Sequence, residues 1–167
     1  MKQIPLTLGQ LVLVDDCWYE LLISMGKWHA IKHRNTFYAV RNSRPDSVTG
    51  KRIPIRMHRV ILGLTDSKIQ GEHANGNGLD NQLSNLRFAN NQQNSQNRGM
   101  NANNTSGFKG VSWRQREQKW VAQTVVDGKK TFIGYFNDPN EAARAYDQAA
   151  VEHFGEFARP NFPSEVT

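Results

Sequence analysis

The 167-residue sequence has almost nothing with which to cross-link itself, since Cys17 is its sole cysteine. That excludes an intramolecular disulfide and a structural zinc site built on paired cysteines. A long apolar run is missing too. Near the N-terminus, Pro5, Gln10 and the acidic pair Asp15-Asp16 interrupt the apolar residues, so neither a secretory signal nor a membrane span is expected. This reads as an intracellular, cytoplasmic chain. Acidic side chains are also scarce: 15 Asp and Glu stand against 21 Lys and Arg, a formal net charge of +6. An extended polyanion is the expected partner class, with nucleic acid first and an anionic membrane surface behind it. What is present, 38% hydrophobic and 10% aromatic residues, suffices for one large domain or two small ones and excludes a disordered tail.

The charge is unevenly spread. Residues 1–60 carry +6, residues 61–103 are neutral, residues 104–132 carry +4 and residues 133–167 carry −4. A basic block followed by an acidic one suggests a small domain with a basic element and an acidic solvent face. Between residues 27 and 59 nine basic groups face a single acid. Solubility does not require that many, so a phosphate-contacting surface is expected there, with Arg56 and Arg59 in it. The neutral block is crowded with asparagine and glutamine, as in Asn90-Asn91-Gln92-Gln93-Asn94. A polar linker is the plain reading of such a run.

Residues 6–41 read as strands, with Trp18, Trp28 and Phe37 filling a small core. Residues 42–50 form a loop, and 57–64 a short helix ending at Gly63. From about residue 68 the order is strand, loop, strand and then a polar helix from about Asn90, an order that would gather His73, Asn85 and Asn94. Beyond residue 104, strands are expected at 108–111, 120–126 and 130–135, with Asp127-Gly128 as a two-residue hairpin turn. A helix follows, with Asp138 as N-cap, Pro139 first and Glu141 third, and Gly155 stops it. His29 and His33 read as structural or surface residues, and His153 as a cation at the negative end of the last helix.

Met57-His58-Arg59, the run from Glu72-His73-Ala74-Asn75-Gly76 to Asp80-Asn81, and Ser84-Asn85-Leu86-Arg87 resemble phage HNH homing endonucleases over roughly residues 1–100. The resemblance implies a ββα-metal nuclease motif. In it His73 is the general base, Asn85 orients the site, and Glu72 with Asn94 hold the metal. The residue before the histidine is usually Asp, so Glu72 keeps the carboxylate but lengthens it by one methylene. Asn94 in place of a histidine suits a hard, oxygen-liking ion, Mg²⁺ or Mn²⁺. Adjacent strand residues point to opposite faces, so Glu72 and His73 require a bulge or an irregular strand end there. His58 either clamps a phosphate or caps the short helix. The nuclease reading makes residues 90–98 a helix along the duplex, with Arg98 near a phosphate and only residues 99–104 left as linker.

Phe108-Lys109-Gly110-Val111, Lys119-Trp120-Val121-Ala122, Ile133-Gly134-Tyr135-Phe136, the run from Glu141 to Asp147, and Asn161-Phe162-Pro163 resemble the APETALA2-type DNA-binding domain of plant ethylene-response factors. That implies a three-stranded sheet in the major groove with a helix behind it. DNA contacts would come from Lys109, Arg114, Arg116, Trp120, Gln123, Lys130 and Phe132. Gln123 and Phe132 stand where the family usually has charged or tryptophan residues, so the plant target sequence does not carry over.

The expected fold class is α+β, in four parts. Residues 1–56 form a β-rich basic segment, 57–98 the nuclease motif, 99–104 a linker, and 105–163 a domain of three antiparallel strands on one helix. The expected function is site-directed, divalent-metal-dependent cleavage of double-stranded DNA, in the host cytoplasm if the protein is phage-encoded. No membrane or protein partner is expected, and the chain should be a monomer or weak dimer. The alternative is a non-catalytic DNA-binding regulator with a degenerate nuclease motif; RNA binding through the basic N-terminal part ranks third.

Overall fold

Alternating apolar residues make the first two strands, β1 (Lys2–Pro5) and β2 (Leu11–Val14), which pair antiparallel and bury Ile4, Val12 and Val14. The computed structural model describes residues 1–166, and the chain divides into two units, Met1–Asn91 and Gln92–Thr167. Residues 92–104 therefore group with the second unit. A helix, α1 (Asp16–Ser24), follows β2, where the sequence reading has only strands. Helical spacing explains the difference. Trp18, Leu22 and Met25 recur at intervals of four and three residues and pack on the core that holds Val12, Val14 and Trp28. Trp28 is fully buried and its Nε1 donates to Leu22 O at 2.8 Å, so the indole enters the core with its polar group satisfied. Trp18 and Phe37 are only half-buried.

The rest of the first unit places side chains around this core. β3 (His29–His33), β4 (Thr36–Asn42) and β5 (Pro54–Arg56) form an antiparallel sheet in that order, and α2 (Met57–Ile61) sinks Met57 and Ile61 into the core. β6 (Gln70–His73) and β7 (Leu86–Ala89) make a two-stranded antiparallel sheet; α3 (Asn91–Gln96), which follows, belongs to the second unit from Gln92 on. The loop between β6 and β7 reaches back to the first strands: Leu13 N–H donates to Leu79 O, and Asn81 N–H to Leu13 O. It also comes against β4, where a Cβ on Gly78 would lie 2.4 Å from Phe37 O. Only glycine permits that approach.

The second unit is a sheet backed by a helix. β8 (Val111–Arg114), β9 (Lys119–Val126) and β10 (Lys129–Phe136) are antiparallel with β9 in the centre, and α4 (Pro139–Phe154) packs on one face through Ala142, Ala143, Tyr146 and Ala150. The Asp127-Gly128 turn has φ of +50° and +76° and joins the directly paired Val126 and Lys129, the two-residue hairpin with both φ positive. Asp138 Oδ1 accepts from Asn140 N–H at 2.9 Å, capping α4. β8 begins at Val111 instead of running over 108–111. Gly110 takes φ +77° there, and Ser106 Oγ bonds to Phe108 O and Val111 O, which turns the preceding residues out of line. Buried Asp147 accepts from Asn161 N–H and Phe162 N–H, and Asn161 bonds both backbone groups of Lys109. One carboxylate thus ties the C-terminal segment to the helix, and the segment to the start of the sheet. Among the described residues no helix is long and apolar enough to cross a membrane.

Candidate active site and nucleic-acid interface

His73 ends β6, and its ring is gripped from three sides. The ring centroids of His58 and Tyr38 lie 4.9 Å and 5.7 Å away, each edge to face. On the third side His73 Nε2 lies 3.5 Å from Asn81 Oδ1, at the long limit of a hydrogen bond. Asn81 Nδ2 donates to Gly78 O, which turns Oδ1 toward the imidazole. An oxygen there favours the tautomer with the proton on Nε2. Both histidines are 4% exposed. Burial, followed by the nearby His73, Arg56 and Arg59, holds His58 down to about 3. Burial also takes His73 down to about 4 against the opposing pull of Asn81 and Asp80. Both rings are therefore neutral near neutral pH.

The other predicted nuclease residues take distinct places. Asn85 closes the β6–β7 loop: its Oδ1 accepts from Asn75 N–H, its Nδ2 donates to Asp80 O, and its carbonyl accepts from Ala74 N–H. Glu72 pairs with Arg87, Oε1 accepting from Nε at 2.7 Å and lying 2.6 Å from Nη2. Its buried Oε2 has no hydrogen-bond partner among the described residues. The β6–β7 register runs without a shift from Gln70 to His73. The expected bulge is absent, and alternation along the strand sends the Glu72 carboxylate and the His73 ring to opposite faces. Asn94 lies on α3, in the second unit. Among the described residues no three His, Cys, Asp or Glu side chains cluster.

Of the N-terminal basic residues, Arg56 is exposed, with its guanidinium 5.5 Å from the centre of the Tyr38 ring, beside the histidines. Arg59 has its donors on Ile69 O, Asp66 O and Leu64 O. As arranged, it fastens the 64–69 loop.

In the second unit, register sorts the expected DNA contacts onto two faces. Trp120 pairs across the strands with Trp113 and packs against the core of Val111 and Ala122 on the face that α4 covers. Gln123, Lys130 and Phe132 are on the opposite, outer face with Arg114, since Gln123 faces Phe132, Val125 faces Lys130 and Arg114 faces Lys119. Arg116 is exposed in the β8–β9 turn, and Arg98 is exposed just beyond α3. Lys109 is half-buried; its Nζ donates to Gln96 O at 2.5 Å, and burial, then Arg159, lowers it to about 8.

The family model for the AP2 domain matches residues 106–156. An uncharacterized HNH endonuclease of Acanthamoeba polyphaga mimivirus is 33% identical over 145 residues, which cover 83% of this chain and 73% of the viral protein. The chain belongs to the HNH endonuclease family. It carries an AP2 domain at its C-terminal end. This HNH chain is also 39% identical over 59 residues to Protein 3.8 of Escherichia phage T7, covering 35% of the chain and 49% of the phage protein. An ethylene-responsive transcription factor of Medicago truncatula is 42% identical over 73 residues, 42% of the chain and 26% of the plant protein.

For an HNH chain, the residues missed by sequence reasoning are Tyr38, Asn81 and the buried role of His58. Asn81 stands inside the quoted motif, and His58 beside the basic pair, but nothing in their spacing says that they meet His73. Their burial has a consequence for stability. Unfolded histidines titrate near 6.5 and these do so lower, so below that pH the unfolded chain binds protons that the folded one refuses. Stability contributed above pH 6.5 is lost as pH falls toward 4, at about 2 kcal/mol per histidine by pH 5. His153 of the second unit is exposed. On shifting from pH 7 to pH 5, hydrogen exchange corrected for intrinsic rate should accelerate in residues 1–91 well beyond any change in 105–163.

Proposed function

We propose that this HNH chain is a site-directed, divalent-metal-dependent endonuclease of the phage homing type that hydrolyses phosphodiester bonds of double-stranded DNA. Residues 57–98 form the nuclease motif and 105–163 the domain that selects the site, joined by residues 99–104. The observation that carries the reading is the neutral His73 imidazole, clamped by Asn81, His58 and Tyr38 at the end of β6. A neutral imidazole held in one place accepts a proton from water. Asn85 holds the loop that keeps Asn81 in place, and Arg56 over Tyr38 supplies a cation for a phosphate beside the base.

Glu72, whose buried Oε2 has no hydrogen-bond partner among the described residues, would hold Mg²⁺ or Mn²⁺ only if it let go of Arg87, and Asn94 is the second ligand that the resemblance implies. When bound, such an ion neutralises charge building on the phosphate and the leaving oxygen. The outer face of the AP2 sheet, with Arg114, Arg116, Gln123, Lys130 and Phe132, meets the duplex. Arg98 contacts a phosphate.

One observation favours the second reading, a DNA-binding regulator without catalysis, because the Arg87 guanidinium already neutralises Glu72. Supercoiled plasmid separates the two. Incubation with Mg²⁺ or Mn²⁺ should nick or linearise it, and EDTA should stop the reaction. Intact plasmid under every metal condition would leave only the regulator.

A further inference from the structure

The outer face of the AP2 sheet shows more apolar surface than solvation calls for. Val125 is 51% exposed, Phe132 57% and Tyr135 46%, and the Phe132 and Tyr135 rings sit 4.9 Å apart between centroids. A single exposed apolar side chain is ordinary; three on one face of paired strands make a patch. The register puts Gln123 directly opposite Phe132, and Lys130 opposite Val125. β8, β9 and β10 contain no acidic residue at all. This is a face with cations around it, a carboxamide in its middle and aromatic rings beside that carboxamide. Its complement is anionic at the margins and, toward the centre, presents a donor next to an acceptor with a methyl group close by.

The major groove of DNA has that chemistry at one kind of base pair. Adenine offers N7 and the N6 amino group, which a glutamine carboxamide takes together, and its partner thymine carries the C5 methyl group that apolar side chains contact. A G·C pair has no methyl there. We infer that the outer face of the AP2 sheet reads A·T pairs, Gln123 taking the adenine edge while Phe132 and Tyr135 cover thymine methyl groups. The inference rests on the proposal that this face meets the duplex, and it specifies what the face reads. Arg114 and Lys130 supply the phosphate contacts, which carry no sequence information.

The test uses the full chain. Duplexes that it binds are selected from a random library by gel shift, and each thymine of the bound site is then replaced singly by deoxyuridine. That substitution removes the methyl group and leaves pairing and hydrogen-bond edges unchanged. Selected sites should hold A·T pairs at their centre. At one or more of them uracil should weaken wild-type binding about fourfold, the cost of one buried methyl. Phe132→Ser should bind the thymine and uracil duplexes alike. Equal wild-type affinity for thymine and uracil at every position, or G·C pairs throughout the selected sites, overturns the inference. Arg114→Ala with Lys130→Ala should weaken binding to both duplexes equally. If that double variant binds as the wild type does, what fails is the prior proposal that this face meets DNA.

Discussion

His73→Ala should leave supercoiled plasmid uncut under conditions in which the wild type relaxes or linearises it, a loss of about 10³-fold in cleavage rate. The size follows from removing a positioned general base, which is worth about 10² to 10⁴. Position is what this imidazole has. Asn81 faces its Nε2, the rings of His58 and Tyr38 flank it, and burial keeps it neutral. Alanine also leaves a gap between two rings, so lost folding could imitate lost chemistry. Gel shift on the uncleaved duplex separates the causes, because affinity residing in the AP2 domain should survive the substitution. Cleavage at the wild-type rate by His73→Ala would end the proposed mechanism. Asn85→Ala should cost less, about 10- to 100-fold, since it loosens the loop that bears Asn81 but leaves the base in place.

The second large effect belongs to Gly110→Ala, which should unfold the AP2 domain. Gly110 has φ +77°, and a Cβ there would lie 2.0 Å from Tyr146 Cδ2. No rotation relieves the overlap, because Tyr146 is buried in the sheet–helix core together with Ala122 and Ala142. Left-handed backbone for alanine costs about 1 kcal/mol. Displacing a core tyrosine adds about 2 kcal/mol or more. A domain of this size is held by only a few kcal/mol, so the sum is comparable to its whole stability. Hydrogen exchange in residues 105–163 should become fast, and DNA binding should disappear with it. Protection equal to the wild type would show that α4 can shift to accommodate the methyl group.

The AP2 domain was readable because its determinants are near neighbours in the chain. Asp127-Gly128 makes its turn from two residues that tolerate positive φ, and Asp138 caps α4 through an N–H two positions on. Alternation along β9 even divides Trp120 from Gln123, although the resemblance alone assigned both to DNA. The first unit was harder to read. α1 hides inside an apolar stretch whose helical spacing matters only once Val12, Val14 and Trp28 offer a surface to pack on. Arg59 looks like any basic residue of a phosphate surface until the 64–69 loop folds over it and takes its donors.

By itself the sequence determined the two parts of this protein: a basic, asparagine-rich half that carries the HNH resemblance, and a small AP2 sheet with one helix. Period, turn chemistry and motif spacing are properties of a few adjacent residues, and they survive reading one residue at a time. Only the tertiary structure decided what surrounds His73. Tyr38 comes from β4, His58 from α2 and Asn81 from the loop after β6, and they meet because burying Met57, Ile61 and Leu86 in one core draws those elements together. The β6–β7 register pairs Glu72 with Arg87, on the other side of the strand from His73, which it was expected to join. Contacts between residues far apart in the chain depend on the shape of the whole core, and no local pattern carries that shape.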